Sequence, residues 1–313
     1  MNTKRTAVLP RQKLRPNLGR EQVREEPMAL SIEANKLSDH DFQRLSEFVK
    51  EKTGISMSDV KKTMLQARLQ KRLRALGMKD FSEYCEYLFG SQGMGQEIDQ
   101  FINVVTTNKT DFFREPHHFD FLVRNAIPFL QESGLLQHRF LNVWSAACSN
   151  GMEPYTLAMM LSEYEAANHG FSWSVLGTDI STDVLEKATL AVYGEDSVEP
   201  VPTDMKEKYL LRSLDRRKRL VRIVPELRSR VEFRYLNFID DDYQLHRKFE
   251  VIFCRNVIIY FDRKTVLKIL TKITNLLIPG GFLFLGHSEF LNAYQLPFDV
   301  VATTVYQKKM TEQ

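Results

Sequence analysis

Long apolar runs are absent from this 313-residue chain. Nowhere do roughly eighteen apolar residues follow one another, the length a membrane-spanning helix needs. Cysteine is scarce. Cys85, Cys148 and Cys254 are widely spaced, an odd count without metal-ligand spacing, which argues for reduced thiols in a cytoplasmic chain and against a metal site. No Gly-x-Gly-x-x-Gly grips a pyrophosphate, and no Walker lysine cradles a triphosphate. The N-terminus has basic residues but no apolar core behind them, so no signal peptide is expected.

What is present divides into three stretches. Residues 1–28 hold seven Lys/Arg and three Glu, a net of +4 against +3 for the whole chain. With Pro10, Pro16 and Pro27 and no periodicity, the first 35 residues read as a disordered basic arm. Residues 36–108 follow a helical period throughout. Ser38 can cap a helix carrying Phe42, Leu45, Phe48 and Val49 that ends at Gly54. Further helices are expected over 61–76, with Leu65, Leu69, Leu73 and Leu76 on one stripe, over 81–89 and over 98–105. On the second helix, at about 100° per residue, Arg68 and Arg72 lie roughly 20° either side of Lys61, with Lys71 beside them. This basic face suits an acidic partner helix or nucleic acid; a solvated outer face is the plainer alternative.

Residues 109–313 read as a second domain, in which from residue 139 onward strands and helices alternate, as in a doubly wound parallel sheet with helices on both faces. Strands are expected over 139–147, 173–179, 231–238, 249–255, 281–286 and 299–307. A helix over 264–277 is expected to stop at Pro279-Gly280-Gly281. Between residues 193 and 231 the alternation breaks. Residues 206–234 hold eleven Lys/Arg against four Asp/Glu, and the segment reads as an inserted subdomain with a short helix and a hairpin. The strand over 139–147 runs into the small-residue turn Ser149-Asn150-Gly151, after which a helix opens with Pro154 in its first turn. The next strand ends on Asp179. This arrangement holds a nucleoside, the closing carboxylate accepting two ribose hydroxyls. Glu153, near the helix start, either caps that helix or pairs with the ammonium of an amino-acid tail, as S-adenosylmethionine would offer. The pattern alone does not choose.

Five motifs in order then carry a resemblance. They are Thr106-Thr-Asn-Lys-Thr-Asp-Phe-Phe-Arg-Glu115, Ser145-Ala-Ala-Cys-Ser-Asn-Gly-Met-Glu-Pro-Tyr155, Thr178-Asp-Ile-Ser181, Phe253-Cys-Arg-Asn-Val-Ile-Ile-Tyr-Phe-Asp262 and Gly286-His-Ser-Glu289. Over residues 36–308 the chain resembles the CheR-type chemoreceptor glutamate O-methyltransferases. The resemblance implies a Rossmann-like class I methyltransferase sheet with an inserted β-subdomain, behind a small all-α domain that recognises substrate. It implies S-adenosylmethionine as cofactor, S-adenosylhomocysteine as product, and a chemoreceptor's cytoplasmic helical region as partner, for adaptation in chemotaxis.

Residue by residue, the resemblance puts Asn108, Thr110 and Arg114 on a linker closing over the cofactor. It gives Glu153 the methionyl ammonium, Asp179 the ribose, and Asn237 and Phe238 the adenine end. Arg255 and Asn256 fall under the methionine moiety. Arg114 and Tyr260 are the catalytic pair, beside the transferred methyl. Arg68, Lys71 and Arg72 are the candidate receptor contacts. The chain is expected to be a cytoplasmic monomer recruited to membrane receptor arrays. The alternative is a methyltransferase or regulator acting on another acidic protein or on nucleic acid. Against nucleic acid stand the absent Asn/Asp-Pro-Pro-Tyr motif and the lack of aromatics in the basic runs. His117 and His118, adjacent on a helix, are expected to point apart and to serve packing, and His287 to give structural support.

Two departures bear on these expectations. Met152 replaces the first Glu of the family loop, leaving Glu153 to bind. The glycine-rich turn of relatives that tether to a receptor's C-terminal pentapeptide is missing: Arg212-Ser-Leu-Asp-Arg-Arg-Lys-Arg-Leu-Val-Arg222 is strongly basic and has no glycine. Pentapeptide tethering is therefore not expected, and electrostatic attraction to an acidic partner or an anionic membrane surface takes its place.

Overall fold

The computed structural model describes residues 36–91, 93–291 and 294–310; the arm expected over residues 1–35 lies outside them. Helix α1 (Asp39–Thr53) starts where the Ser38 hydroxyl accepts from the Asp41 N–H, satisfying a donor that a helix start leaves open. Gly54 ends it at φ +75°, the left-handed conformation that suits glycine. Helices α2 (Lys62–Leu76), α3 (Phe81–Phe89), α4 (Gly93–Gln96) and α5 (Ile98–Val105) follow. The single turn α4, half glycine, carries no periodic signal and was not expected. Leu65, Leu69 and Leu73 are at most 2% exposed and meet Phe42, Leu45 and Phe101 in a core belonging to this helical layer. Each buried leucine contributes about 1.5–3 kcal/mol, which secures an otherwise strongly polar helix.

After α6 (His117–Phe121) and α7 (Ile127–Glu132), joined through a π turn over 122–126, the alternating region begins. β1 (Phe140–Ala146), α8 (Met152–Ala167), β2 (Ser172–Asp179) and α9 (Thr182–Leu190) open it. Next come β3 (Val192–Gly194), α10 (Thr203–Tyr209), β4 (Leu210–Arg212), β5 (Leu220–Ile223) and α11 (Pro225–Arg228). β6 (Val231–Tyr235), β7 (Phe249–Cys254), α12 (Arg263–Leu276), β8 (Leu277–Leu285), β9 (Phe298–Ala302) and β10 (Val305–Lys308) complete it. Seven strands form the main sheet in the order β6-β2-β1-β7-β8-β10-β9, and the inserted sheet runs β3-β5-β4. The first five strands of the main sheet are parallel, while β10 is antiparallel to both its neighbours. All six residues of β7 are buried, as in a strand covered on both faces. Apolar clusters fill either side of the sheet.

The chain lays β2 and β6 on one side of β1, then returns to place β7 on the other side. That reversal opens a crevice beyond the carboxyl ends of β1 and β7, where sheets of this kind bind ligands.

Three sequence expectations need correction. The strand read over 299–307 is two, β9 and β10, folded back through a turn in which Thr304 takes φ +54°; without Gly, Pro, Asn or Asp the turn left no mark. β6 stops at Tyr235 rather than 238. Pro279-Gly280-Gly281 lies inside β8 and ends no helix, because α12 has already finished at Leu276. A Cβ on Gly281 would sit 2.8 Å from the Glu250 carbonyl oxygen, so glycine there lets β8 approach β7.

Candidate active site

The crevice is a cavity of about 1060 Å³, counted to its open mouth. Asn108, Thr110, Arg114, Glu153, Asp179, Asn237, Phe238, Arg255, Asn256 and Tyr260 all line it. Four of the five motifs thus converge on one place, while the one over 286–289 does not line it. The helical layer supplies a further wall through Thr53, Ile55, Met57, Lys61 and Met64.

The β1 end of the cavity is built by backbone. Ala147 and Ser149 adopt φ +60° and +51°, turning the chain sharply into α8. Asp179, the last residue of β2 and 7% exposed, accepts from the Ser149 N–H at 2.8 Å and the Ser181 N–H at 2.9 Å, one on each oxygen. Each oxygen keeps acceptor capacity for a ligand hydroxyl. Burial raises its pKa above the usual 3.8, with the backbone donors opposing. Cys148 in the same turn is kept a thiol, first by burial and then by the Asp179 and Glu153 carboxylates.

The floor is a charge network around Arg255, whose side chain is 1% exposed. It pairs with Glu153 at 3.0 Å and with Glu115 at 3.1 Å, and donates to the Arg114 carbonyl. Glu153 also accepts from the Ser145 hydroxyl at 2.7 Å, so it does more than cap α8. Burial opposes ionisation of Glu115 most strongly, but Arg255, the Asn256 amide and His287 together outweigh it and hold the carboxyl below its ordinary range. Two carboxylates and one guanidinium leave the network one negative charge in excess. That excess suits an ammonium group, and Asp179 suits a vicinal diol. The residues present fit the two ends of S-adenosylmethionine.

Glu115 and Glu289 lie within the matched motifs, and sequence reasoning missed what they do. Glu289, 2% exposed, accepts from the N–H groups of Asn256, Val257, Ile258 and Gly286 at 2.7–2.8 Å. Four backbone donors fix the loop after β7, where Asn256 takes φ +57°, and so aim Asn256 and Tyr260. Two acids inside the matched motifs over 106–115 and 286–289 were the available signal.

Arg114 faces the cavity and donates to the Lys109 carbonyl at 3.3 Å. The Tyr260 ring lies 5.1 Å from the Lys61 ammonium. Burial, then repulsion from Arg68, lowers the Lys61 pKa. The Asn237 amide donates to the Lys52 carbonyl at 2.7 Å, spending one side of that side chain on α1.

Arg68 and Arg72 are not simply outward. Arg68 donates to the carbonyls of Val105 and Thr106 at 2.8 Å, capping the end of α5. Arg72 grips Glu97, 1% exposed, through two bonds of 2.7 and 2.6 Å. Lys71 is exposed. The helical wheel could not show that Glu97 and the end of α5 occupy Arg72 and Arg68.

The histidine expectation is also corrected. The His117 and His118 rings do not point apart: their centroids are 4.2 Å apart, and His287 lies 4.9 Å from His117. His118 is fully buried against Thr304, and burial lowers its pKa to about 3. Among the described residues no group of three or more His, Cys, Asp or Glu is arranged to hold a metal ion.

The family model described as "CheR methyltransferase, SAM binding domain" matches residues 108–307. That described as "CheR methyltransferase, all-alpha domain" matches residues 40–106. A chemotaxis protein methyltransferase of Escherichia coli (strain K12) is 40% identical over 270 residues, covering 86% of this chain and 91% of the relative. One from Salmonella typhimurium is 39% identical over 270 residues, with 86% and 90% covered. Another from Borreliella burgdorferi is 40% identical over 251 residues, with 80% and 87% covered. With the helical layer, the switch-point cavity and the acids of both its ends in place, the chain belongs to the CheR methyltransferase family, as an enzyme dependent on S-adenosylmethionine.

Proposed function

We propose that the chain methylates glutamate side chains on the cytoplasmic helices of chemoreceptors, giving methyl esters and S-adenosylhomocysteine for chemotactic adaptation. The observation that carries this is the cation-rich lining of the cavity, where Lys61, Lys109 and Arg114 share the space with Tyr260, in a chain about 40% identical to a chemotaxis methyltransferase. When bound, the cofactor supplies an electrophilic methyl whose bonding pair returns to sulfur. Asp179 holds the ribose, Glu153 the ammonium, Asn237 and Phe238 the adenine end, and Asn108, Thr110, Arg255 and Asn256 the rest.

A free glutamate titrates near 4.3, so the incoming carboxylate is already anionic and needs no general base. Arg114 orients it by charge-assisted hydrogen bonds, and Tyr260 fixes the angle of approach. Holding the reactants in line can contribute roughly 7–11 kcal/mol. Lys71 meets the receptor helix directly, while Arg68 and Arg72 set the surface it lies on. Because Arg72 holds a buried carboxylate, Lys71→Glu is the cleaner probe of docking: receptor methylation falls while cofactor affinity stays. The enzyme would act in the cytoplasm, as a monomer, at receptor arrays; among the described residues no helix is long and apolar enough to cross a membrane.

The test is transfer of tritiated methyl from S-adenosylmethionine to receptor-enriched membranes, followed by base treatment. Label released as methanol is expected. Label that resists base, or that enters nucleic acid instead, would overturn the proposal.

A further inference from the structure

The small sheet β3-β5-β4 has two unlike faces. Tyr193 and Val221, 5% and 4% exposed, belong to the main core. On the other face Val192, Arg222 and Leu211 lie side by side, paired across the three strands, and all three are exposed. Beyond β4 the chain forms an ordered loop over 213–219. The Ser213 N–H donates to the Leu220 carbonyl and the Lys218 N–H to the Asp215 carbonyl.

This loop joins two properties that need different surroundings. Leu214 is wholly exposed, at 103%. Around it stand Arg212, Arg216, Arg217, Lys218 and Arg219 against the single acid Asp215. Asp215 engages Arg217, and Arg219 reaches Asp196 at 2.6 Å. Arg212, Arg216 and Lys218 have no ion pair among the described residues. None of these residues lines the cofactor cavity.

A purely acidic surface would attract the cations but leave Leu214, Leu211 and Val192 in water. An anionic bilayer takes both, since headgroup phosphates draw the cations and the acyl boundary accepts the aliphatic side chains. We infer that this loop and the exposed face of the small sheet dock on an anionic lipid surface. The binding is weak and reversible, because one aliphatic tip and a polybasic rim hold less than an inserted helix does. It confines the enzyme to the membrane without using the active site, and it stands whatever protein is methylated.

Cosedimentation of the full chain with vesicles tests this, using phosphatidylcholine alone and with about a third phosphatidylglycerol. The chain is expected to bind the anionic vesicles and to leave them as salt rises from about 0.1 to about 0.5 M. The double variant Arg216→Glu/Lys218→Glu should lower the partition coefficient at least about tenfold. Leu214→Ser should lower it several-fold. All three side chains are exposed, so the fold and the methylation of a water-soluble receptor fragment should not change. The basic residues of the first 28 positions are the same in every variant, so a loss assigns the binding to the loop. Equal binding to neutral and anionic vesicles would overturn the inference. So would anionic binding that survives both sets of substitutions, or loop-dependent binding to polyglutamate without binding to anionic vesicles.

Discussion

Arg255 beneath the cofactor cavity and the cations on the small sheet's loop show two opposite uses of positive charge. Arg255 has lost its water and has two carboxylates and a carbonyl in its place. A buried ion is tolerated only with such partners, and removing one leaves the others uncompensated. Arg216 and Lys218 keep their water. Exposed charges like these add little to stability but shape the field that an approaching surface meets. Buried charge fixes where atoms stand inside the molecule; exposed charge decides where the molecule goes.

The largest expected effect breaks the buried member of this comparison. Arg255→Ala should cost about 3–5 kcal/mol in urea unfolding, whereas Arg216→Ala should stay within about 0.5 kcal/mol. Equal losses would dissolve the distinction. Next comes cofactor affinity. Asp179→Ala should cost about 1.5–3 kcal/mol for each charge-assisted hydrogen bond lost to the ribose, read by calorimetry with S-adenosylhomocysteine. Glu153→Ala should weaken binding similarly, and unchanged affinity in both would sink the assignment of the two acids. The ionised Asp179 is the binding form and its folded pKa is raised. Affinity should therefore be full above that raised value and fall as pH drops through it, a limb absent in Asp179→Asn. For folding the sign is reversed, because a raised carboxyl favours the fold below 3.8 and loses that advantage as pH climbs through its folded value.

A smaller effect belongs to His118. Its folded pKa is about 3 against 6.5 unfolded, so the unfolded chain takes up the proton first. The stability this site supplies is full above 6.5 and is lost as pH falls toward 3. Between about pH 7 and about pH 5 the denaturation midpoint of wild type should therefore fall more than that of His118→Asn. Parallel curves would show that His118 is not held neutral. The smallest effect expected is none at all. A receptor-tail pentapeptide ending in an aromatic residue should not bind, because the 215–219 turn carries long charged side chains where strand addition needs an open edge. Saturable micromolar binding in a titration would refute this.

The cavity was legible because its residues lie at strand ends and helix starts, where local pattern and motif coincide. Asp179 could be given chemistry from position alone, whereas Glu153 stayed open between cap and ammonium partner until the motifs were matched. The partners of Arg68 and Arg72 could not, since Glu97 and the end of α5 reach them only through tertiary packing. Adjacent helical positions diverge by about 100°, which argued His117 and His118 apart. Tilted rings at the start of a short helix still brought them together. The hairpin of β9 and β10 was hidden by a turn made of Thr303 and Thr304, residues with strand character.

The Tyr260 loop is tied to the helical layer by main chain. The Ser56 N–H donates to the Tyr260 carbonyl at 2.9 Å, and Ile55 bridges to Phe261. The sequence changes character near residue 108, and an engineer seeking a minimal catalytic module would cut there. That cut would pass through the wall of the reaction chamber. It would strip Ile55, Met57, Lys61 and Met64 from the cavity and remove the Ser56 tie on the Tyr260 carbonyl, leaving that loop to Glu289. The two halves of this chain are separable as patterns of residues, but the reaction vessel is shared property, assembled only when both are present.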